Sequence, residues 1–274
     1  MIEFKFDENY YGEGISKGIP RGLLAYHDGV LIVQEGMGLG AFAIQYNNRT
    51  YFCSIEKICK SGHLDKIIDV EYRIDMRLEW TFFQKSSPLI TTFLEMTASK
   101  IYMKSEAFQG PILKMGTRLR RLLRISTDFK KIESLGYIKA RYILGESDIH
   151  VTAESNVGLE KYKFFIMNEI GGELFSRSVI CGLESDPPGG WQKIEKSLVK
   201  NEKSHMLKSP SLGLMCYMEE ICVPADIESV LFWGRELSGG YNWAGFESEL
   251  KCSACGFKDY SYKVYFEKVE KEIE

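Results

Sequence analysis

Residues 69–80 alternate strictly between charged and apolar side chains, and this pattern constrains the fold more than any other part of the sequence. The apolar members run from Val70 to Trp80, and the charged members run from Asp69 to Glu79. Successive side chains of a β-strand point to opposite faces of the sheet. The segment therefore predicts one long strand, with one face in a core and the other in water or in a polar lumen.

Two dipeptides predict tight turns between further strands. Asp28-Gly29 and Asn47-Asn48 each lie between two apolar runs. Aspartate, asparagine and glycine tolerate the positive φ angles that hairpin turns require. We expect the four flanking runs to form an antiparallel meander: 22–26, 30–34, 41–46 and 49–53.

Three other segments have the residue spacing of helices. Ser87-Pro88 has the form of an N-cap followed by a first helical residue, and apolar residues then recur at helical spacing up to Ile101. The segments 112–125 and 191–203 are the other two candidates. Strand candidates outnumber these helices, so we predict a mainly β fold, an antiparallel barrel or sandwich with two or three helices, bordering on α+β.

Proline and glycine residues at 186–190 form the clearest break in the chain. A length of 274 residues fits one large sheet-dominated domain over 1–274. The alternative is a boundary at 186–190 that separates 1–185 from 191–274.

Composition narrows the class of protein. Lys and Arg number 35 against 38 Asp and Glu, for a net charge of −3, and 45% of the residues are hydrophobic. These values exclude a disordered or collagen-like chain and argue against a general nucleic-acid binder. Seven cysteines, no signal-peptide pattern and no apolar run of about 18 residues predict free thiols, a cytoplasmic location and no membrane span.

The glycine-rich segment 36–40 is one candidate for a ligand contact. It contains Gly36, Gly38 and Gly40. The third glycine comes one residue too early for a dinucleotide-binding fingerprint, and a strand rather than a helix follows. We interpret the segment as a bulge or wide connection between strands, where the backbone can approach a ligand closely. Glu35 beside it is a candidate general acid or base.

A second candidate is the segment 234–243. Most aromatic residues of this chain alternate along strands, but Tyr241 and Trp243 follow a Gly-Gly pair in an expected loop. Flat apolar side chains combined with a few polar groups are typical of sugar and small-ligand sites. We expect Tyr241 and Trp243 to stack on a ligand, Arg235 to hold an anionic group and Glu236 to act as a general acid or base.

Cys252 and Cys255 form a C-x-x-C-G pattern, which is one half of a common zinc site. A second such pair is missing, so zinc is one of three interpretations. The others are structural thiols without a ligand and a redox pair, and a redox pair needs a helix start that is not indicated here.

Two hypotheses of function follow. The first is a small-molecule site in a pocket or lumen lined by the segments 36–40 and 234–243, with non-metal acid–base chemistry and no cofactor, as in an isomerase, lyase or hydrolase. The second is a non-enzymatic interaction module that presents the basic helix 112–125 to an acidic partner or to nucleic acid, with or without a zinc knuckle at 252–255. The pattern does not indicate an oligomeric state.

Overall fold

Antiparallel strands make up most of the described chain. The computed structural model describes residues 1–6, 22–82, 85–86, 126–194, 204–237 and 242–270. In chain order the strands are β1 (Ile2–Lys5), β2 (Leu24–His27), β3 (Val30–Leu31), β4 (Leu39–Tyr46), β5 (Arg49–Ser61), β6 (Ile67–Phe82), β7 (Lys85–Ser86), β8 (Ser126–Lys131), β9 (Tyr137–Leu144), β10 (Asp148–Ser155), β11 (Tyr162–Gly171), β12 (Arg177–Ile180), β13 (Leu183–Ser185), β14 (Gly190–Lys193), β15 (His205–Ser209), β16 (Leu214–Cys222), β17 (Ile227–Glu236), β18 (Trp243–Cys252) and β19 (Phe257–Lys268).

One long sheet is folded over on itself. Its strand order is β13-β12-β15-β16-β19-β10-β9-β6-β5-β4-β11-β18-β17-β14, with β7 and β8 also paired to β6. Among the described strands, β13 and β14 end the order and do not pair with each other, so the sheet is a sandwich rather than a closed barrel. The first layer runs from β13 to β6, and the second layer runs from β5 to β14.

Aromatic side chains join the two layers. Phe42 of β4 contacts Tyr72 of β6 at 5.4 Å between ring centroids. Phe164 of β11 contacts Phe257 of β19 at 5.0 Å. These rings belong to one continuous apolar core, which accounts for the alternating buried positions along the long strands.

A β-bulge divides β6 into two parts. Strand β5 pairs Phe52 with Met76 and Cys53 with Ile74, which leaves Asp75 out of register. A bulge of one residue reverses the alternation of side chains beyond it. The apolar side chains before the bulge face the core, and those after it join a second cluster on the outer face of the sheet: Val70, Tyr72 and Ile74 in the first group, Met76 and Leu78 in the second. The single apolar face predicted for residues 69–80 is therefore wrong.

Both hairpins of the predicted meander are confirmed, β2 with β3 and β4 with β5, but the pairing of the second run with the third is wrong. Positive φ angles occur at Asp28, Gly29, Asn47 and Asn48, as hairpin turns require. However, β2 and β3 form a separate three-stranded sheet with β1, and β4 pairs with β5 and β11. The residues 36–40 between β3 and β4 therefore connect two sheets.

The prediction of two or three helices is not confirmed. The helix segments 87–101 and 112–125 lie outside the described residues, and 191–203 begins with strand β14 rather than with a helix. Within the described ranges the only helical element is a 3-10 turn at His63–Asp65. Strands from both sides of 186–190 belong to the same sheet, and the division into domains stays a prediction.

We expect Phe164 and Phe165 to respond very differently to truncation. Phe164 is fully buried between Phe42 and Phe257, whereas Phe165 is partly buried on the outer face. Phe164→Ala should lower the free energy of unfolding by about 3–5 kcal/mol because it leaves a cavity between the layers. Phe165→Ala should cost less than half as much. Urea denaturation of both variants checks this, and equal losses would contradict the sandwich assignment of β11.

Candidate functional site

The two segments expected to line a ligand site lie on opposite sides of the end of β11. On one side, the carbonyl of Gly38 accepts a hydrogen bond from the N–H of Glu169 at 2.9 Å. On the other side, Gly245 of β18 pairs with Glu169, two residues after Trp243. The structure therefore brings the segment 36–40 and the described parts of the other segment, 234–237 and 242–243, to Glu169, a residue that the sequence analysis missed.

Sequence gives only a weak signal for Glu169. The strand expected near 162–166 extends five residues further, to Gly171. Within it, Asn168 and Glu169 interrupt an otherwise apolar run, and the alternation places them on opposite faces. Asn168 faces the core, where it is 1% exposed. Glu169 therefore faces outward. The sequence signal for this site is a pair of polar residues inside a buried strand.

Four carboxyl side chains share the outer face of the second layer, and we call this group the glutamate face: Glu169, Glu236, Glu247 and Glu249. Glu247 pairs with Met167 and is therefore the diagonal neighbour of Glu169 on the adjacent strand. Such diagonal pairs are about 7–8 Å apart between Cα atoms. This face lies on the outside of the sheet and is partly shielded from solvent: Glu249 is 5% exposed, and Glu169, Glu236 and Glu247 are half-buried.

Burial keeps two of these carboxyl groups protonated near neutral pH. Burial raises the pKa of Glu169 to about 8, and repulsion from the Glu236 carboxylate adds to the shift. Burial also raises the pKa of Glu247 to about 8, with Glu169 and Glu249 contributing and Lys163 opposing. A glutamic acid that is neutral at pH 7 can donate a proton or a hydrogen bond.

A lysine balances part of the negative charge. Lys163 Nζ lies 2.7 Å from Glu249 Oε1, and this is an ion pair with a well-shielded carboxylate. The glutamate face therefore contains an ionised, paired carboxylate at one end and a protonated one at Glu169. Environments that separate the protonation states of neighbouring carboxyl groups are typical of acid–base sites.

Glycine and tryptophan residues shape the surface beside Glu169. Gly245 of β18 pairs with Glu169, and Gly234 of β17 pairs with Gly245. Neither glycine therefore places a side chain beside the Glu169 carboxyl group. Trp191, which pairs with Gly234, stacks on Trp243 at 4.1 Å between ring centroids. Backbone packs closely against both glycines, since a Cβ atom would lie 2.1 Å from the carbonyl oxygen of Asn168 at Gly245 and 1.8 Å from that of Gly190 at Gly234.

The other predicted site residues occupy different positions. Glu236 ends β17 and pairs with Trp243, the first residue of β18, so Trp243 begins a strand rather than lying in a loop. Arg235 lies on the opposite face from Glu236, and its Nε donates to the carbonyl of Gly172 at 2.7 Å. Glu35 is exposed in the turn that precedes Gly38. Tyr241 lies outside the described residues.

The glycines of 36–40 have a structural role that sequence analysis anticipated. Gly38 and Gly40 have φ angles of 69° and 73°, and strand β4 begins between them. No helix begins there, in agreement with the interpretation as a bulge. Gly36 is buried in the turn that precedes Gly38.

Cys252 and Cys255 do not share a common direction. Cys252 ends β18 and is buried in the core, where burial raises the pKa of its thiol to about 11. Cys255 is exposed in the turn before β19. Within the described ranges, no group of three or more His, Cys, Asp or Glu side chains could hold a metal ion. The zinc hypothesis stays a prediction.

The basic helix 112–125 of the interaction hypothesis lies outside the described residues, so that hypothesis also stays a prediction. Among the residues that the structure describes, no helix is long and apolar enough to cross a membrane.

The charged face of β6 forms a separate concavity of about 570 Å³ on the first layer. Its charges are paired across strands: Arg141 donates to both carboxylate oxygens of Asp69 at 2.7 and 3.2 Å, and Lys139 lies 3.4 Å from Glu154. Exposed pairs of this kind stabilise a sheet modestly. The two carboxyl groups whose pKa is raised, Glu169 and Glu247, lie on the other layer, so we place the candidate site at the glutamate face.

The protonation of Glu169 should make the stability of the protein depend on pH. Between the unfolded pKa of about 4.3 and the folded pKa of about 8, the folded protein holds one proton more at this group than the unfolded chain does. The free energy of unfolding therefore falls as pH rises through this window. Glu169→Gln removes this contribution, so the variant should gain stability relative to the parent between pH 5 and pH 8.

The gain in free energy of unfolding should stay below about 1.4 kcal/mol per pH unit, which is the limit for one proton. Urea denaturation at pH 5, 6, 7 and 8 measures it. Glu228→Gln is the matched control, because Glu228 is an exposed carboxylate on β17 paired with Lys251. If plots of the free energy of unfolding against pH stay parallel for Glu169→Gln and the parent, Glu169 is ionised in the folded protein across this range.

No protein-family model matches the chain, and no curated protein matches it. Among solved structures, a protein from Escherichia coli K12 with a provisional assignment as an aldose 1-epimerase is similar over 92% of this chain and 93% of its own, with 8% sequence identity and a TM-score of 0.41. A protein in glycosyl hydrolase family 38 from Enterococcus faecalis is similar over 98% of this chain and 29% of its own, with 8% identity and a TM-score of 0.37. Likenesses at this level do not identify a family, a substrate or a reaction.

Proposed function

We propose that the protein binds a small hydroxylated molecule at the glutamate face and transfers protons to and from it. Glu169 is the general acid, and Glu236 is the general base. The observation that carries the proposal is the environment of Glu169, where burial raises the pKa to about 8 and repulsion from Glu236 on the same face adds to the shift. Catalysis of proton transfer needs at least one acid and one base that are present together near neutral pH.

The surroundings of Glu169 suit a compact, polar ligand with one flat apolar side. Gly245 and Gly234 place no side chains of their own beside the carboxyl group. Trp243, held by its stack on Trp191, supplies the apolar wall. Carboxyl groups bind hydroxyl groups both as donors and as acceptors, and aromatic faces pack against the C–H side of a sugar ring.

Most of the remaining site residues keep their proposed roles as contacts. Gly36 and Gly38 would border the ligand through backbone groups, and Tyr241 would extend the aromatic wall. Glu35 would serve as a further acid or base group from the adjoining turn. The backbone groups of Gly40 are bound in the core and Arg235 lies on the opposite face from Glu236, so ligand contacts of these two residues stay separate predictions. We propose no cofactor for this chemistry.

Reducing sugars are the sharpest probe of this proposal. Opening and closing of an aldose ring needs only one proton donated and one removed, with no other reactant. We expect the protein to accelerate interconversion of the anomers of D-glucose, D-galactose or D-xylose, measured by proton NMR from a freshly dissolved single anomer. Glu169→Gln and Glu236→Gln should each lower the rate by about 10²–10⁴-fold.

The reaction rate should depend on pH because the general acid must be protonated. Since Glu169 must carry its proton, the rate should fall as pH rises through about 8. Glu228→Gln, on the same strand as Glu236, should retain the parent rate. Acceleration that survives Glu169→Gln would overturn the assigned acid. The absence of both acceleration and saturation-transfer signals for all three sugars would overturn the ligand class.

A further inference from the structure

A β-bulge in β4 lies directly under the candidate site. Strand β11 pairs Met167 with Ala41 and then Asn168 with Leu39, so that Gly40 has no partner in the ladder. Gly40 has a φ of 73°, and a Cβ atom there would lie 2.8 Å from the ring of Tyr142. Only glycine fits this position without strain.

Two buried side chains replace the hydrogen bonds that the bulge loses. The N–H of Gly40 donates to Asn168 Oδ1 at 3.0 Å, and the hydroxyl of Tyr142 donates to the carbonyl of Gly40 at 3.0 Å. Tyr142 belongs to the first layer and Asn168 to the second. The bulge is therefore held from both layers of the sandwich.

Two further tyrosines orient these groups. The hydroxyl of Tyr262 donates to Asn168 Oδ1 at 3.1 Å. Tyr142 and Tyr72 are 3.0 Å apart between hydroxyl oxygens, and because Tyr142 uses its proton on Gly40, Tyr72 is the donor. Each of these side chains is at most 2% exposed. A buried polar network of this kind fixes one geometry, because any displacement leaves a donor or acceptor without a partner.

The bulge determines which backbone lies beside Glu169. Beyond Gly40 the chain returns to β11, where Gly38 accepts from the N–H of Glu169 at 2.9 Å and Gln34 donates to its carbonyl at 3.0 Å. Both backbone groups of Glu169 are thus tied to the segment 34–38. That segment reaches β11 only because the bulge displaces Gly40.

We propose that Asn168, Tyr142 and Tyr262 are positioning residues for Glu169, acting through the Gly40 bulge from the opposite face of the sheet. This inference rests on the proposed function, in which Glu169 is the acid. The network holds the segment 34–38 against one side of Glu169, while Gly245 of β18 pairs with it on the other side. Loss of the network would let the segment move away and admit water to the carboxyl group.

The test measures the pKa of Glu169 without any ligand. The full chain, labelled with glutamate carrying carbon-13 in its carboxyl group, is titrated by NMR, and the Glu169 signal is identified by its loss in Glu169→Gln. Tyr142→Phe and Asn168→Leu should lower the pKa of Glu169 by about one unit or more, because hydration favours the ionised form. Asn168→Asp keeps an acceptor oxygen at the same position and should restore the parent value.

Tyr260→Phe is the matched control. Tyr260 is also fully buried in the first layer, but its hydroxyl donates to Glu220 at 2.9 Å, is hydrogen-bonded to Ser248 at 2.8 Å and does not contact Gly40. Urea denaturation of each variant separates loss of stability from loss of positioning. If Tyr142→Phe and Asn168→Leu lose stability as Tyr260→Phe does but leave the pKa of Glu169 unchanged, the network is structural only and the inference is wrong. If Asn168→Leu does not fold, Tyr262→Phe removes one hydrogen bond from Asn168 and decides the question.

The failure of this inference differs from the failure of the proposed function. An ordinary pKa for Glu169 in the parent protein would remove the acid role, whatever the variants do. A raised pKa that the network variants do not change would leave the acid in place and remove the positioning role. If aldose turnover is observed, Tyr142→Phe should lower kcat more than it changes KM, because Tyr142 lies on the far side of the sheet from the ligand.

Discussion

The phase of side-chain alternation is the constraint on which the rest of this structure depends. In a sheet folded over on itself, a residue faces either the core or the outside, and a one-residue bulge exchanges the two. The bulge at Asp75 sends one end of β6 to the core and the other end to the outer cluster around Phe52. The bulge at Gly40 brings the segment 34–38 beside Glu169. Both the core and the candidate site follow from these two irregularities.

Burial of carboxyl groups on the outer face carries an energetic disadvantage. A glutamate that folding protonates is more stable as a neutral amide, so selection for stability alone would not favour Glu169 and Glu247 in this environment. The charged concavity of the first layer shows the contrast, since Asp69 and Arg141 form an ordinary exposed ion pair. The second layer combines shielded acids, a glycine row and stacked tryptophans, and this combination supports a functional interpretation.

Several features could be predicted because they depend on local chemistry. The turn at Asp28-Gly29 and the irregular backbone near Gly40 follow from residues that tolerate positive φ. Glu169 could not be predicted in the same way, because a single glutamate in a strand has the same local pattern whether it faces water or a shielded surface. Its partners Glu236 and Gly245 are more than sixty residues away in the chain, and no motif links them.

Antiparallel strands with tight turns, and an irregular backbone near Gly40, can be inferred from the sequence. Only the tertiary fold makes the sheet double over into a sandwich, brings Gly38 and Gly245 to opposite sides of Glu169, and places Tyr142 and Asn168 beneath them in the core. The physical reason is that alternation and turn preference act between neighbours in the chain. The pairing partner of each strand, the phase beyond each bulge and the burial of each carboxyl group depend instead on contacts between distant residues.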